Sequence, residues 1–381
     1  MKFRVLLVGG GTGGHVYPLM AVAGALRKKS VEGGVDLELR VIGEGKFLSN
    51  ACAENGLKLN TILAGKMRRY FSLLNILDFF KIPIGFIQSL WHILIYMPDV
   101  VFAKGGYASF APCLVAKLYR IPLYIHDSDS TAGLTNKIVG KLADVVLIAF
   151  KNAEVEFGTS KCILVGNPIR SELLGAMHDE SVSAFKLDPN LKTILFLGGS
   201  QGARTINTTV LQLLVMLVEK YQIIHQCGDS QLSVVKNELE KIIKEGKDEY
   251  ADKISKNYRL YPFFGVSEMR AAYGAADVIV SRAGAANIFE IAAIGKPAIV
   301  IPLTHSASNH QVLNAEEFSK SGAIVIKEDN LSAHLIINQI DRLLEPVNYI
   351  NVSAQIKSFA MMDAADRVAS QILSVSSSDI G

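Results

Sequence analysis

Charge is scarce in this sequence: only 20% of its 381 residues are Asp, Glu, Lys or Arg, and the net charge is +3. A protein that grips nucleic acid with a broad basic face needs more than that, so no nucleic-acid partner is expected. Cysteine is scarcer still. Cys52, Cys113, Cys162 and Cys227 lie far apart and form no CxxC or Cys/His cluster. That argues against a disulfide framework and a structural zinc, and a reducing cytosol fits best. No secretion signal is read at the start, where the apolar run Phe3–Val8 passes into glycines without a small-residue cleavage site. A bilayer-crossing run is also missing. The longest candidate has Asp78 and Lys81 within it, and the uncharged remainder, Ile82 to Met97, is 16 residues, short of the roughly 20 required.

What the chain does have is hydrophobic mass, 50% of its residues, which excludes a disordered or fibrous protein. Its length suits two domains of roughly 150–200 residues each. Short β-branched runs alternate with longer helical stretches from Phe3 to Val165 and again from Thr193 to Ile326, the pattern of parallel sheets covered on both faces. Both halves begin alike. Gly9-Gly10-Gly11-Thr12-Gly13-Gly14 follows the first strand, and Gly198-Gly199-Ser200-Gln201-Gly202 follows the first strand of the second half. The expectation is two Rossmann-like domains in series, residues 1–166 and 167–350. A C-terminal helical stretch and tail, 351–381, should cross back to the first domain. Charge divides unevenly: 19 Lys and Arg against 12 Asp and Glu in residues 1–165, then 20 against 24. A basic first half points to an anionic substrate or surface. Lys66, Arg68 and Arg69 precede Phe71, Leu73, Leu74, Ile76, Leu77, Phe79 and Phe80. That segment suits either a core helix with a basic start or a surface resting on an anionic membrane.

Glycine loops between strand and helix bring unpaired backbone N–H groups close to an anion. His15 follows the first loop directly and suits a general base beside that anion, or a solvated capping residue. His126-Asp127-Ser128-Asp129 ends a strand at the edge where open parallel sheets hold ligands. Asp-Ser-Asp has the form of a metal-holding DxD, but with no further oxygen cluster to assign, hydrogen bonds to a polyhydroxy ligand fit better and no metal is expected. The small residues of Ser281–Asn287 leave room for a phosphate or sugar. Glu290, one turn on, suits ribose hydroxyls or simply the helix dipole. The loop Thr304–Gln311 is rich in side-chain donors and acceptors.

Taken together, GGGTGGH (9–15), KGGYAS (104–109), HDSDSTAGLTNK (126–137), GNPIR (166–170), GGSQGAR (198–204), SRAGAANIFEIAAIGKPAIVIP (281–302) and NHQVLNA (309–315) resemble the MurG family. The resemblance spans nearly the whole chain in order. It implies a GT-B glycosyltransferase, an α/β fold of two Rossmann-like domains facing across a cleft, that needs no cofactor. It further implies an N-acetylglucosaminyltransferase of peptidoglycan synthesis, and so of cell-wall biogenesis, cell shape and division. The donor would be UDP-N-acetylglucosamine and the acceptor undecaprenyl-linked lipid I, with inversion to give lipid II at the cytoplasmic face of the bacterial plasma membrane. By that resemblance Thr12, Gly13, Gly14, Asp129, Arg170, Ser200, Gln201, Ala285, Ala286, Asn287, Ile288, Phe289, Glu290 and Gln311 would serve substrate binding, and Val266 would present backbone to the uracil. His15, Tyr107, Asp127 and Asn136 would serve catalysis, with His15 the first choice of base and Asp127 the second. One string departs: the family reads His-Glu-Gln-Asn where this chain has His126-Asp127-Ser128-Asp129, which adds a carboxylate in need of a partner. Alternatives are a related GT-B enzyme for another lipid or polysaccharide, a nucleotide-sugar epimerase, and an inactive donor-binding subunit.

Overall fold

Each short apolar run between polar turns becomes a strand whose alternate residues enter opposite cores. The computed structural model describes residues 2–11, 13–65, 73–199, 202–246, 248–304 and 309–378. The first seven strands are β1 (Phe3–Gly10), β2 (Leu37–Glu44), β3 (Lys58–Thr61), β4 (Val100–Ala103), β5 (Leu123–Asp127), β6 (Val145–Ile148) and β7 (Cys162–Leu164). They form one sheet in the order β3-β2-β1-β4-β5-β6-β7, parallel throughout. Val5 and Leu7 of β1 face Leu19 and Leu26 of the Gly13–Glu32 helix, with Val368 and Ile372 of the Ala364–Ser378 helix in the same core. Leu6 and Val8 face the other core, with Ile93 and Val115.

The second sheet contains β8 (Thr193–Leu197), β9 (Gln222–Gln226), β10 (Tyr258–Tyr261), β11 (Val278–Ser281), β12 (Ala298–Val300) and β13 (Ile324–Val325). Its order is β10-β9-β8-β11-β12-β13, again all parallel. Leu195 and Leu197 enter one of its cores, Ile194 and Phe196 the other.

The chain divides into Met1–Arg170 with Met361–Gly381, and Ser171–Ala360. The first limit lies at 170 instead of 166. Val165 and Gly166 still bond to Ile148 O of β6, and the Arg170 guanidinium stacks on Tyr17, which keeps this stretch with the first unit. The C-terminal stretch expected to return from 351 is two helices. Pro346–Phe359 stays with the second unit, because Ile356 is buried in its core and Phe359 packs 5.3 Å from both Phe289 and Phe318. The return begins at Met361, whose side chain fills the space a Cβ on Gly166 would need. Among the described residues no helix is long and apolar enough to cross a membrane.

Candidate functional site

In each sheet the strand order reverses beside the first strand, at β1 between β2 and β4 and at β8 between β9 and β11. The crevice beyond the C-terminal ends of such strands is where open α/β sheets take ligands. The sequence motifs map onto these two places. Gly9–Gly11 and Lys104-Gly105-Gly106 border the first, while Gly198-Gly199 and Arg282-Ala283-Gly284 border the second.

At the first edge, backbone conformation admits the side chains. Gly105 has φ +93°, and a Cβ there would lie 2.8 Å from both polar atoms of the Asn136 amide. Gly106 has φ +83°, and its missing Cβ leaves the His15 ring close, 3.6 Å from Cδ2 to where that atom would be. Any other residue would be strained at both positions. His15 is the third residue of the Gly13–Glu32 helix and is half-buried. The Tyr107 ring edge lies beside Gly11. Asn136 Nδ2 donates to Asp127 Oδ2 at 3.0 Å, and the Asp129 N–H donates to Asp127 Oδ1 at 3.1 Å. Asp127 is only 2% exposed. Burial and the neighbouring Asp129 push its carboxyl up to about 6, against the opposing pull of Asn136, the Asp129 N–H and Lys104. Arg170 lies with its guanidinium carbon 4.0 Å from the centre of the Tyr17 ring, two residues beyond His15. Thus Gly13, Gly14, His15, Tyr107, Asp127, Asp129, Asn136 and Arg170 all belong to one unit, most of them at one sheet edge.

A half-buried imidazole at such an edge can exchange a proton with a bound hydroxyl. A carboxylate enclosed on both oxygens is poorly placed to do so. Asp127 holds the Asn136 amide through Oδ2.

At the second edge the Ala285–Ile294 helix starts after Gly284, and its first internal bond runs from Ile288 N–H to Gly284 O. The N–H groups of Ala285, Ala286 and Asn287 therefore have no carbonyl within the helix and point toward the crevice, an arrangement suited to an anion. Ile288 and Phe289 face the core. Glu290, 7% exposed, accepts a 2.9 Å hydrogen bond from the Tyr273 hydroxyl. Val266 is the first residue of the Val266–Ala275 helix, so its N–H is likewise beyond the reach of the helix's own carbonyls. Gln311 Oε1 accepts from Leu303 N–H at 3.0 Å. Thr12, Ser200, Gln201 and residues 305–308 lie outside the described residues, as do Lys66, Arg68, Arg69 and Phe71.

Sequence reasoning assigned nothing to Lys104 or Tyr273. The signal for Lys104 was a lone charge closing an apolar four-residue strand. Tyr273 gave none, since an aromatic residue on a helix reads as core. Among the described residues no group of three or more His, Cys, Asp or Glu is placed to hold a metal ion.

Known proteins match this organisation. Residues 5–148 match the glycosyltransferase family 28 N-terminal domain, and residues 193–368 its C-terminal domain. A Treponema denticola protein is 34% identical over 95% of this chain and 93% of its own length. It is named UDP-N-acetylglucosamine–N-acetylmuramyl-(pentapeptide) pyrophosphoryl-undecaprenol N-acetylglucosamine transferase. The crystal structure of Acinetobacter baumannii MurG superposes with a TM-score of 0.72, at 24% identity, over 98% of this chain and all of that one. The chain belongs to the MurG family. It is a glycosyltransferase of GT-B fold, with two Rossmann-like units. A UDP-GlcNAc 2-epimerase from Neisseria meningitidis also superposes, at TM-score 0.70 and 16% identity, over 98% of this chain and 100% of the other. At that identity the likeness extends to the fold alone.

Proposed function

We propose that the protein transfers N-acetylglucosamine from UDP-N-acetylglucosamine to the C4 hydroxyl of undecaprenyl-diphospho-N-acetylmuramoyl-pentapeptide, with inversion, giving lipid II. The full-length identity with the T. denticola transferase carries the reaction, and the geometry supports the roles. In this reading His15 accepts the proton of the attacking hydroxyl, since it is the half-buried basic group at the first edge. Asn136, held by Asp127, and Tyr107 orient the acceptor. The second unit holds the donor: the N–H groups of Ala285–Asn287 meet the diphosphate, Glu290 the ribose, and the Val266 backbone the uracil. Charge developing on the departing UDP is met by these fixed donors, which need no reorganisation as the bond breaks.

The same reading places the enzyme on the cytoplasmic face of the plasma membrane. Phe80, Ile84, Ile87, Trp91, Leu94 and Ile95 are all exposed on the Leu73–Tyr96 helix at three- and four-residue spacings. They form one apolar stripe of the kind that rests in a lipid headgroup layer. Phe86, Phe110 and Leu114 line an apolar hollow beside it.

The test is transfer of labelled sugar from UDP-N-acetylglucosamine to a lipid I analogue, with and without a chelator. Product should form in both. Transfer only to another acceptor, or 2-epimer formed without any acceptor, would overturn the reading. Trp91 is the chain's single tryptophan and is 62% exposed, so its emission should shift to the blue with anionic vesicles. An unmoved spectrum would remove the membrane claim.

A further inference from the structure

Lys104 is completely buried, and among the described residues no other lysine or arginine is. It follows β4 directly, and its backbone N–H continues the ladder to Val8 O at 2.9 Å. Its ammonium crosses to the end of β5, 2.8 Å from His126 Nδ1 and in contact with Ser128 Oγ. His126 Nε2 lies 2.8 Å from Gly166 O. A carbonyl only accepts, so Nε2 carries the ring proton and Nδ1 is left to accept from the ammonium. The Ser128 hydroxyl donates to Asn167 Oδ1 at 3.1 Å, and Asn167 Nδ2 is buried with no partner among the described residues.

The charged and titratable groups around this ammonium are His126 and Asp127 on β5 and Asp129 in the following loop, with His15 on the first helix acting on His126. Burial pushes Lys104 down to about 7, while Asp127 and Asp129 pull it back up. Burial, together with the ammonium, holds His126 well below its usual range, so its ring is neutral. The neighbouring Asp129 raises Asp127, and the Lys104 charge opposes that rise. Asp127 takes its hydrogen bonds from Asn136 and the Asp129 N–H, so Lys104 acts on it through charge.

We propose that Lys104 is a positioning residue, a buried counter-cation that keeps Asp127 ionised beside Asp129 and so keeps Asn136 oriented for the acceptor. The proposal rests on the first edge being the acceptor side, as argued above.

The full-length protein and the variants K104M, K104R, D129N and K104M/D129N would be assayed from pH 5.5 to 8.5 for kcat and KM with the lipid I analogue. Folding would be followed by thermal melting. In K104M the acidic limb of kcat should move up by about half a pH unit. K104R should keep it near the original position. D129N added to K104M should bring it most of the way back, which no loss of packing at Lys104 would produce. D129N alone should move the limb the other way, to lower pH, and serves if K104M does not fold. An unmoved limb in folded K104M, or in D129N where K104M does not fold, or no recovery in the double variant, would overturn the proposal. Carboxyl carbon NMR of Asp127 in the original protein and D129N reads the same ionisation without turnover. A protein inactive toward lipid I but with Asp127 titrating lower in D129N would separate failure of the acceptor reading from failure of this one. An Asp127 titration that D129N does not lower would overturn the proposal by itself.

Discussion

The two sheets reverse at the same place, beside a glycine turn after their first strand, yet the edges above them carry different chemistry. Lys104, His126, Asp127 and Asn136 crowd the first, all buried and joined by hydrogen bonds. The second offers small residues and helix N–H groups, with Glu290 as its enclosed carboxylate. Fully buried histidines make the contrast concrete. His126 lies between an ammonium and a carbonyl, whereas His225 of β9 lies between the Tyr258 hydroxyl at 2.7 Å and Asn207 Oδ1 at 3.0 Å. One scaffold thus supports a titrating edge and a fixed-dipole edge, and the difference resides in side chains grafted at equivalent turns.

If the edges divide the work, removing the first edge's base should stop turnover and spare the donor. His15→Ala is expected to lower kcat about a thousandfold, with UDP affinity by calorimetry changed by less than about twofold. A parallel loss of UDP binding would break the division.

Acid should destabilise the second unit through His225. Burial lowers its pKa to about 3 in the folded chain, while an unfolded histidine titrates near about 6.5. Between those values the unfolded state binds the extra proton. The stability is therefore complete well above pH 6.5 and falls as pH drops, by about 2 kcal/mol between pH 6.5 and about 4.5. His225→Gln should flatten that slope in denaturant titrations; an unchanged slope would assign the acid loss elsewhere.

Smaller effects are expected at the donor edge. Glu290→Gln should weaken UDP-N-acetylglucosamine binding about tenfold or more, and Tyr273→Phe about threefold, through the lost hydrogen bond to Glu290. Equal binding by Glu290→Gln would confine that carboxylate to a helix-dipole role. Least of all, Trp91→Ser should shift stability within about 0.5 kcal/mol, because the side chain faces water. It should still weaken association with anionic vesicles measured by co-sedimentation.

Much of this was legible before any coordinates. Strand–helix alternation reported both parallel sheets. Pro83 was less informative: it lies inside the Leu73–Tyr96 helix and does not end it. The point at which the C-terminal stretch leaves one unit for the other lies at Ala360–Met361, between two helices, and no local pattern marks it.

Glycine turns and hydrophobic period are local properties, and by themselves they determined the two sheets, the helix starts above them and the positions of His15 and Glu290. Only the tertiary structure decided which charges would lose their water. Lys104 reaches His126 across 22 residues of chain and His126 reaches Gly166 across 40. Burial is a sum over such distant neighbours, and no stretch of sequence contains it.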